Sequence, residues 1–134
     1  MEIFKTRVLA RFARHERISD RSLIEAVERA ERGLIDADLG GGLIKQRVAR
    51  AGQDRSGGYR MLVAYRRQGR AIFLSGFAKN ETDNIDQRQL LNLRRIADGW
   101  LVADEATITQ ALSDGALQEV DGDEATQSVK RRNH

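Results

Sequence analysis

Lys45 and Arg47 are separated by one residue in the run Leu43-Ile44-Lys45-Gln46-Arg47-Val48. On an extended chain both side chains leave one face, while Ile44, Gln46 and Val48 point the other way. Arg60 lies in a second alternating run, opposite in parity to Tyr59, Met61 and Val63, and Lys79 follows a third, in parity with Ser75 and Phe77. With the tyrosine-bearing face buried, Lys45, Arg47, Arg60 and Lys79 are expected to gather on the opposite, solvent-facing side of a sheet. Such a cationic surface binds RNA, and it can also stabilise the pentacoordinate phosphorane formed when a phosphodiester is attacked. The competing reading is a set of edge-strand charges that merely prevents aggregation.

Composition narrows the chemistry further. The chain has 134 residues with 40% hydrophobic and 32% charged content, no Cys and two His. It therefore has no disulfide, thiol nucleophile or thiolate metal site, and a histidine-rich metal centre or a Ser-His-Asp triad is not expected. The net charge of +3 is unevenly spread. Lys45, Arg47, Arg50, Arg55, Arg60, Arg66, Arg67 and Arg70 face a single acid, Asp54, whereas the chain beyond Glu81 is net acidic. A basic block dominated by Arg favours bidentate contact with a polyanion. The first 17 residues carry no uninterrupted apolar stretch, so neither a signal peptide nor a membrane partner is expected, and the location expected is cytoplasmic.

Elements that would position these residues follow from periodicity and caps. Phe4, Val8 and Phe12 predict a first helix ending near His15; Ser19 caps a second, with Leu23, Val27, Ala30 and Leu34 along it and Gly33 near its end. The run Gly40-Gly41-Gly42 lacks the Gly-Lys-Ser/Thr ending of a phosphate loop and leads into a strand, so it is read as a bend between helix and sheet. Strands are predicted over residues 43–49, 58–66 and 70–78, with Gln68-Gly69 in a hairpin and residues 52–58 as a mobile connection carrying Arg55. A helix from about Thr82 or Asn84 to Leu101, another capped by Asp104 and stopped at Gly115, and a short strand over 117–120 complete the domain. Residues 1–120 are expected to form one domain, and 121–134 a polar, disordered tail.

Several signatures occur in order: Ile18-Ser19-Asp20, the run from Gly33 to Gly42 containing Asp36-Ala37-Asp38-Leu39-Gly40-Gly41-Gly42, Lys45-Gln46-Arg47-Val48-Ala49-Arg50, Ser56-Gly57-Gly58-Tyr59-Arg60 and Gly76-Phe77-Ala78-Lys79-Asn80-Glu81. Together they resemble a RelE/HigB-type toxin of type II toxin–antitoxin pairs. The resemblance implies an α+β fold with N-terminal helices packed on a small antiparallel sheet and C-terminal helices beyond it. It implies a ribosome-dependent mRNA endoribonuclease that inhibits translation, needing no metal or other cofactor. Its partners would be the ribosome, mRNA and a small antitoxin of helix-turn-helix type. By the same resemblance Lys45, Arg47, Arg60 and Lys79 form the catalytic surface, with Arg50 and Arg55 binding RNA. The reaction implied is attack of a 2′-hydroxyl on the adjacent phosphate, Lys45 or Lys79 exchanging protons while Arg47 and Arg60 hold the phosphate. Ser75 stands where many relatives carry an aromatic, and there is no Tyr in the C-terminal region; Tyr59 and Tyr65 read as core and His15 as surface. The same fold superfamily also contains ParE-like gyrase poisons, and a non-catalytic nucleic-acid-binding relative is a further alternative.

Overall fold

Strand β1 (Glu2–Thr6) runs straight into helix α1 (Arg7–Glu16), and α2 (Asp20–Glu31) follows. Next come β2 (Ala37–Gly40), β3 (Leu43–Val48), β4 (Tyr59–Arg66) and β5 (Arg70–Ala78), then helices α3 (Gln87–Val102) and α4 (Glu105–Asp114), and strand β6 (Leu117–Glu119). This computed structural model describes residues 1–49, 58–78 and 85–121. The sheet order is β2-β3-β4-β5-β1-β6, with β1 parallel to β5 and all other neighbours antiparallel. The α+β class is the expected one.

Local chemistry explains most boundaries. Ser19 accepts from the Ser22 amide to open α2, Asp86 and Gln89 form a reciprocal capping box on α3, and Asp104 accepts from Thr107 to open α4. Gly115, at φ +78°, closes α4 in the left-handed conformation. Helix α3 thus starts at Gln87, later than expected; residues 79–84, where an earlier start was read, lie outside the described residues, as do the 50–57 connection and the tail from 122.

Two short strands depart from the sequence reading. Phe4 belongs to β1 and not to the first helix, because residues 2–6 gain ladder partners on both sides: Phe4 sits opposite Ile72 on β5 and Glu119 on β6. The expected helical stripe fails at Val8, which is 64% exposed, while Leu9 and Ala13 are buried in its place. Thr6 marks the change, accepting from the Leu9 amide and donating to the Leu74 carbonyl. Leu34 falls outside α2 and is exposed, since Gly33 at φ +84° ends the helix path. The glycine run turns the β2–β3 hairpin and does not join helix to sheet. Gly42, at φ +84°, leaves no room for a side chain: a Cβ would lie 2.6 Å from Leu101 Cδ1 on α3.

Helices cover both faces of the sheet. One face carries Ile44, Met61, Val63 and Phe73 beneath α1 and α2. Gly76 is needed there, because a Cβ would meet Met61 Sδ at 2.6 Å and the Phe12 ring at 2.8 Å. The other face carries Leu43, Leu62, Ala64 and Ile72 beneath α3 and α4. The expectation of a solvent-facing second side is therefore corrected: its centre is core, each fully buried Leu or Ile contributing about 1.5–3 kcal/mol. The cations keep only the end of that face nearest Arg47 and Arg60.

Candidate nucleic-acid interface

Register brings two of the predicted strand residues, Arg47 and Arg60, onto one rung. Arg47 on β3 lies directly opposite Arg60 on β4, and Arg60 lies opposite Phe77 on β5. Lys45 is two residues along β3, opposite Leu62. Directly opposed residues in antiparallel strands share a face, so Lys45, Arg47, Arg60 and Phe77 share one, and Tyr59, Met61 and Val63 take the other. All four are half-buried. Lys79, Arg50 and Arg55 lie outside the described residues.

Each cation is held differently. The Arg60 Nη1 is buried and has no hydrogen-bond partner among the described residues. A guanidinium nitrogen withdrawn from water without a partner is costly, on the order of 1–3 kcal/mol, and it leaves a charged donor without an acceptor. Arg47 is instead drawn to Asp36: Oδ1 accepts from its Nε at 3.2 Å and its Nη2 at 3.1 Å, and Oδ2 accepts from its backbone amide at 2.7 Å. Burial pushes the Asp36 carboxyl up, but the hydrogen bonds from Arg47 and Arg29 outweigh it and leave the group below the usual carboxylate range.

The rest of the basic block is not uniformly a surface. Arg70 is 3% exposed and ties the ends of the domain together, donating to the Trp100 and Ala103 carbonyls at 2.8 and 2.7 Å and pairing with Glu2 and Glu105. Arg66 donates to the Leu101 carbonyl. Tyr59 and Tyr65 are core residues as expected, donating to Glu16 and Glu31. His15 is exposed at the end of α1.

Three residues at the site escaped the sequence reading. Phe77 presents an aromatic beside Arg60, two residues from Ser75, and its parity with Lys79 was the available signal. Asp36 sits within the DADLGGG signature but carried no assigned role. Arg29 is 4% exposed beneath the rung, bonded to Glu25, Asp36 and the Arg47 carbonyl; an Arg on a helix gives no sequence cue that it is buried.

A helix-covered sheet ending in a rung of two arginines and an aromatic defines a small α+β protein with a cationic end to one face of its sheet. No cluster of His, Cys, Asp or Glu suited to a metal occurs among the described residues, and no described helix is long and apolar enough to cross a membrane. The family model for the RelE toxin of the RelE/RelB toxin–antitoxin system matches residues 1–120, and the chain belongs to that family. It is accordingly a toxin of a toxin–antitoxin system, with a cognate antitoxin as partner. No individual curated protein matches it.

Proposed function

We propose that this toxin is a ribosome-dependent mRNA endoribonuclease. The observation that carries the reading is the buried, unpartnered Nη1 of Arg60 on the rung shared with Arg47 and Phe77. An RNA phosphate supplies the acceptor that Arg60 lacks, and the half-buried Phe77 ring offers a surface on which a base can stack. The 2′-oxygen attacks the adjacent phosphorus as its proton leaves to a base. The bond from phosphorus to the 5′-oxygen then breaks, and that oxygen takes a proton. The products are a 2′,3′-cyclic phosphate and a 5′-hydroxyl. Arg47 and Arg60 neutralise the charge that accumulates on the phosphoryl oxygens, while Lys45 and Lys79 exchange the two protons. Arg50 and Arg55 are assigned to RNA contact by the family resemblance alone. With neither His nor an acid–base carboxylate pair on the rung, the ribosome contributes by fixing the 2′-hydroxyl in line.

The test is a reconstituted translation system with defined mRNA. Cleavage ending in cyclic phosphates, dependent on programmed ribosomes and suppressed by the antitoxin, is the expected result. Intact mRNA with unimpaired translation overturns the reading. Intact mRNA with bound but uncut RNA would make the protein a binding module, and growth arrest through stalled gyrase would make it a toxin of the other class.

A further inference from the structure

From these contacts we infer that Asp36 is a positioning residue for Arg47, fixing the guanidinium at the RNA site and holding down the site's positive charge. The inference rests on the endoribonuclease reading. Asp36 immediately precedes β2, and its side chain is 18% exposed, against 42% for that of Arg47. Its two oxygens take three donors from one residue: the Arg47 amide, Nε and Nη2. Such a grip restrains both the backbone and the side-chain torsions of Arg47, because Oδ2 holds its amide while Oδ1 of the same carboxylate meets Nε and Nη2 of its guanidinium.

Asp36 is itself held from below. Gln46, 1% exposed, accepts from the Asp36 amide at 2.7 Å and donates to the Ala26 and Leu34 carbonyls. The buried Arg29 donates to Asp36 Oδ2 at 3.3 Å and to Glu25 at 3.0 Å. Arg29 also donates to the carbonyl of Arg47, so the same residue is anchored at its amide, its carbonyl and its guanidinium. Asp36 uses Nε and Nη2, and the Nη1 end remains for a phosphate oxygen. The carboxylate therefore has two opposed effects on the substrate. It orients a donor, which favours the transition state, and it cancels one positive charge, which weakens RNA binding.

These effects separate in measurement. In Asp36→Asn the charge is gone and one acceptor oxygen remains where there were two, so the side chain cannot hold both the Arg47 amide and its guanidinium. RNA binding should become tighter, and the log–log dependence of affinity on salt should steepen by about one phosphate contact. The single-turnover cleavage rate on programmed ribosomes should fall at least about tenfold, as orientation is lost. In an Arg47→Ala background the same Asp36→Asn change should leave the cleavage rate unaltered, the signature of a residue acting through another. An equal rate loss in both backgrounds, or weaker RNA binding, overturns the inference. An Arg47→Ala variant that cuts normally instead removes Arg47 from the proposed reaction, a different failure from that of Asp36. Should Asp36→Asn not fold, the unmodified protein still decides: a slowly exchanging, hydrogen-bonded Arg47 Nε–H by nitrogen-resolved NMR is expected, and a freely averaging one overturns the inference.

Discussion

Replacing Arg60 by Met tests the RNA site and the fold in opposite directions. Methionine keeps an unbranched stem for packing beside Leu62 and Phe77 but removes the guanidinium. In the folded state Arg60 carries two burdens: a buried Nη1 without a partner, costing about 1–3 kcal/mol, and a like charge directly opposite on Arg47, costing about 0.2–1 kcal/mol. Asp36 offsets part of the second, since it already neutralises Arg47. The variant should therefore be at least as stable as the natural protein, and by up to about 3 kcal/mol, or on the order of 10 °C in melting temperature for a domain of this size. Cleavage should move the other way. One preorganised donor to a charged transition state is worth about 3–4 kcal/mol, so the rate should fall by about 10²–10³. Thermal melts and single-turnover mRNA cleavage on programmed ribosomes, run on the same preparation, read both quantities. A stable variant that cuts at the natural rate would remove Arg60 from the chemistry. A variant that melts several degrees lower would show that the guanidinium supports the fold, refuting the argument from its missing partner.

Other consequences are equally measurable. Gly42→Ala should lose about 2–4 kcal/mol by urea unfolding, from its left-handed backbone and from overpacking against Leu101, whereas Gly33→Ala, with the same φ of +84° but open space around it, should lose only about 1–2 kcal/mol. Arg70→Met should cost about 3 kcal/mol, at the low end for a buried charge because its partners Glu2 and Glu105 reach solvent; the remaining folded protein should cleave RNA normally. Acid titration of the melting temperature should show a decline as pH falls below about 4. The folded-state pKa of Glu31 is lowered chiefly by the Tyr65 hydroxyl and that of Asp36 by its arginines, so both stabilise the fold above their unfolded values of 4.5 and 3.8 and lose that contribution as they protonate. Glu31→Gln should flatten part of this decline. At the alkaline end Tyr65, pushed up by burial and by Glu31, stays protonated while unfolded tyrosine ionises, so stability should fall again above about pH 10.

Local signals made α2, β3, β4, β5 and α4 legible, because each has its own cap, turn or alternation. The parity that groups Lys45, Arg47 and Arg60 needed only a period of two. Strands β1 and β2 were hidden because each is short, and β1 in addition is extended only by pairing with residues far along the chain. Phe4 offered a helical spacing to Val8 that only the β5 and β6 partners overrule. The covering of the second face does leave a signal in the sequence, since Leu62 and Ala64 interrupt the polar parity between Arg60 and Arg66. Buried arginines were the hardest case. Arg70 finds its carboxylates at Glu2 and Glu105, and nothing within the basic block distinguishes it from Arg67 at the surface.

Strand β1 lies between β5 and β6, pairing Phe4 with Ile72 and with Glu119. Residues of β1 thus complete their hydrogen bonds only with residues made more than a hundred positions later. During synthesis β1 has no neighbour until β5 emerges, and its second edge stays open until β6 does. Contacts of such long sequence separation slow folding and delay the closing of the sheet. For a protein proposed to attack translating ribosomes the delay has a use. The chain being made cannot close its sheet before β6 has emerged, so the ribosome making the toxin has passed the whole of the sheet before that toxin can act.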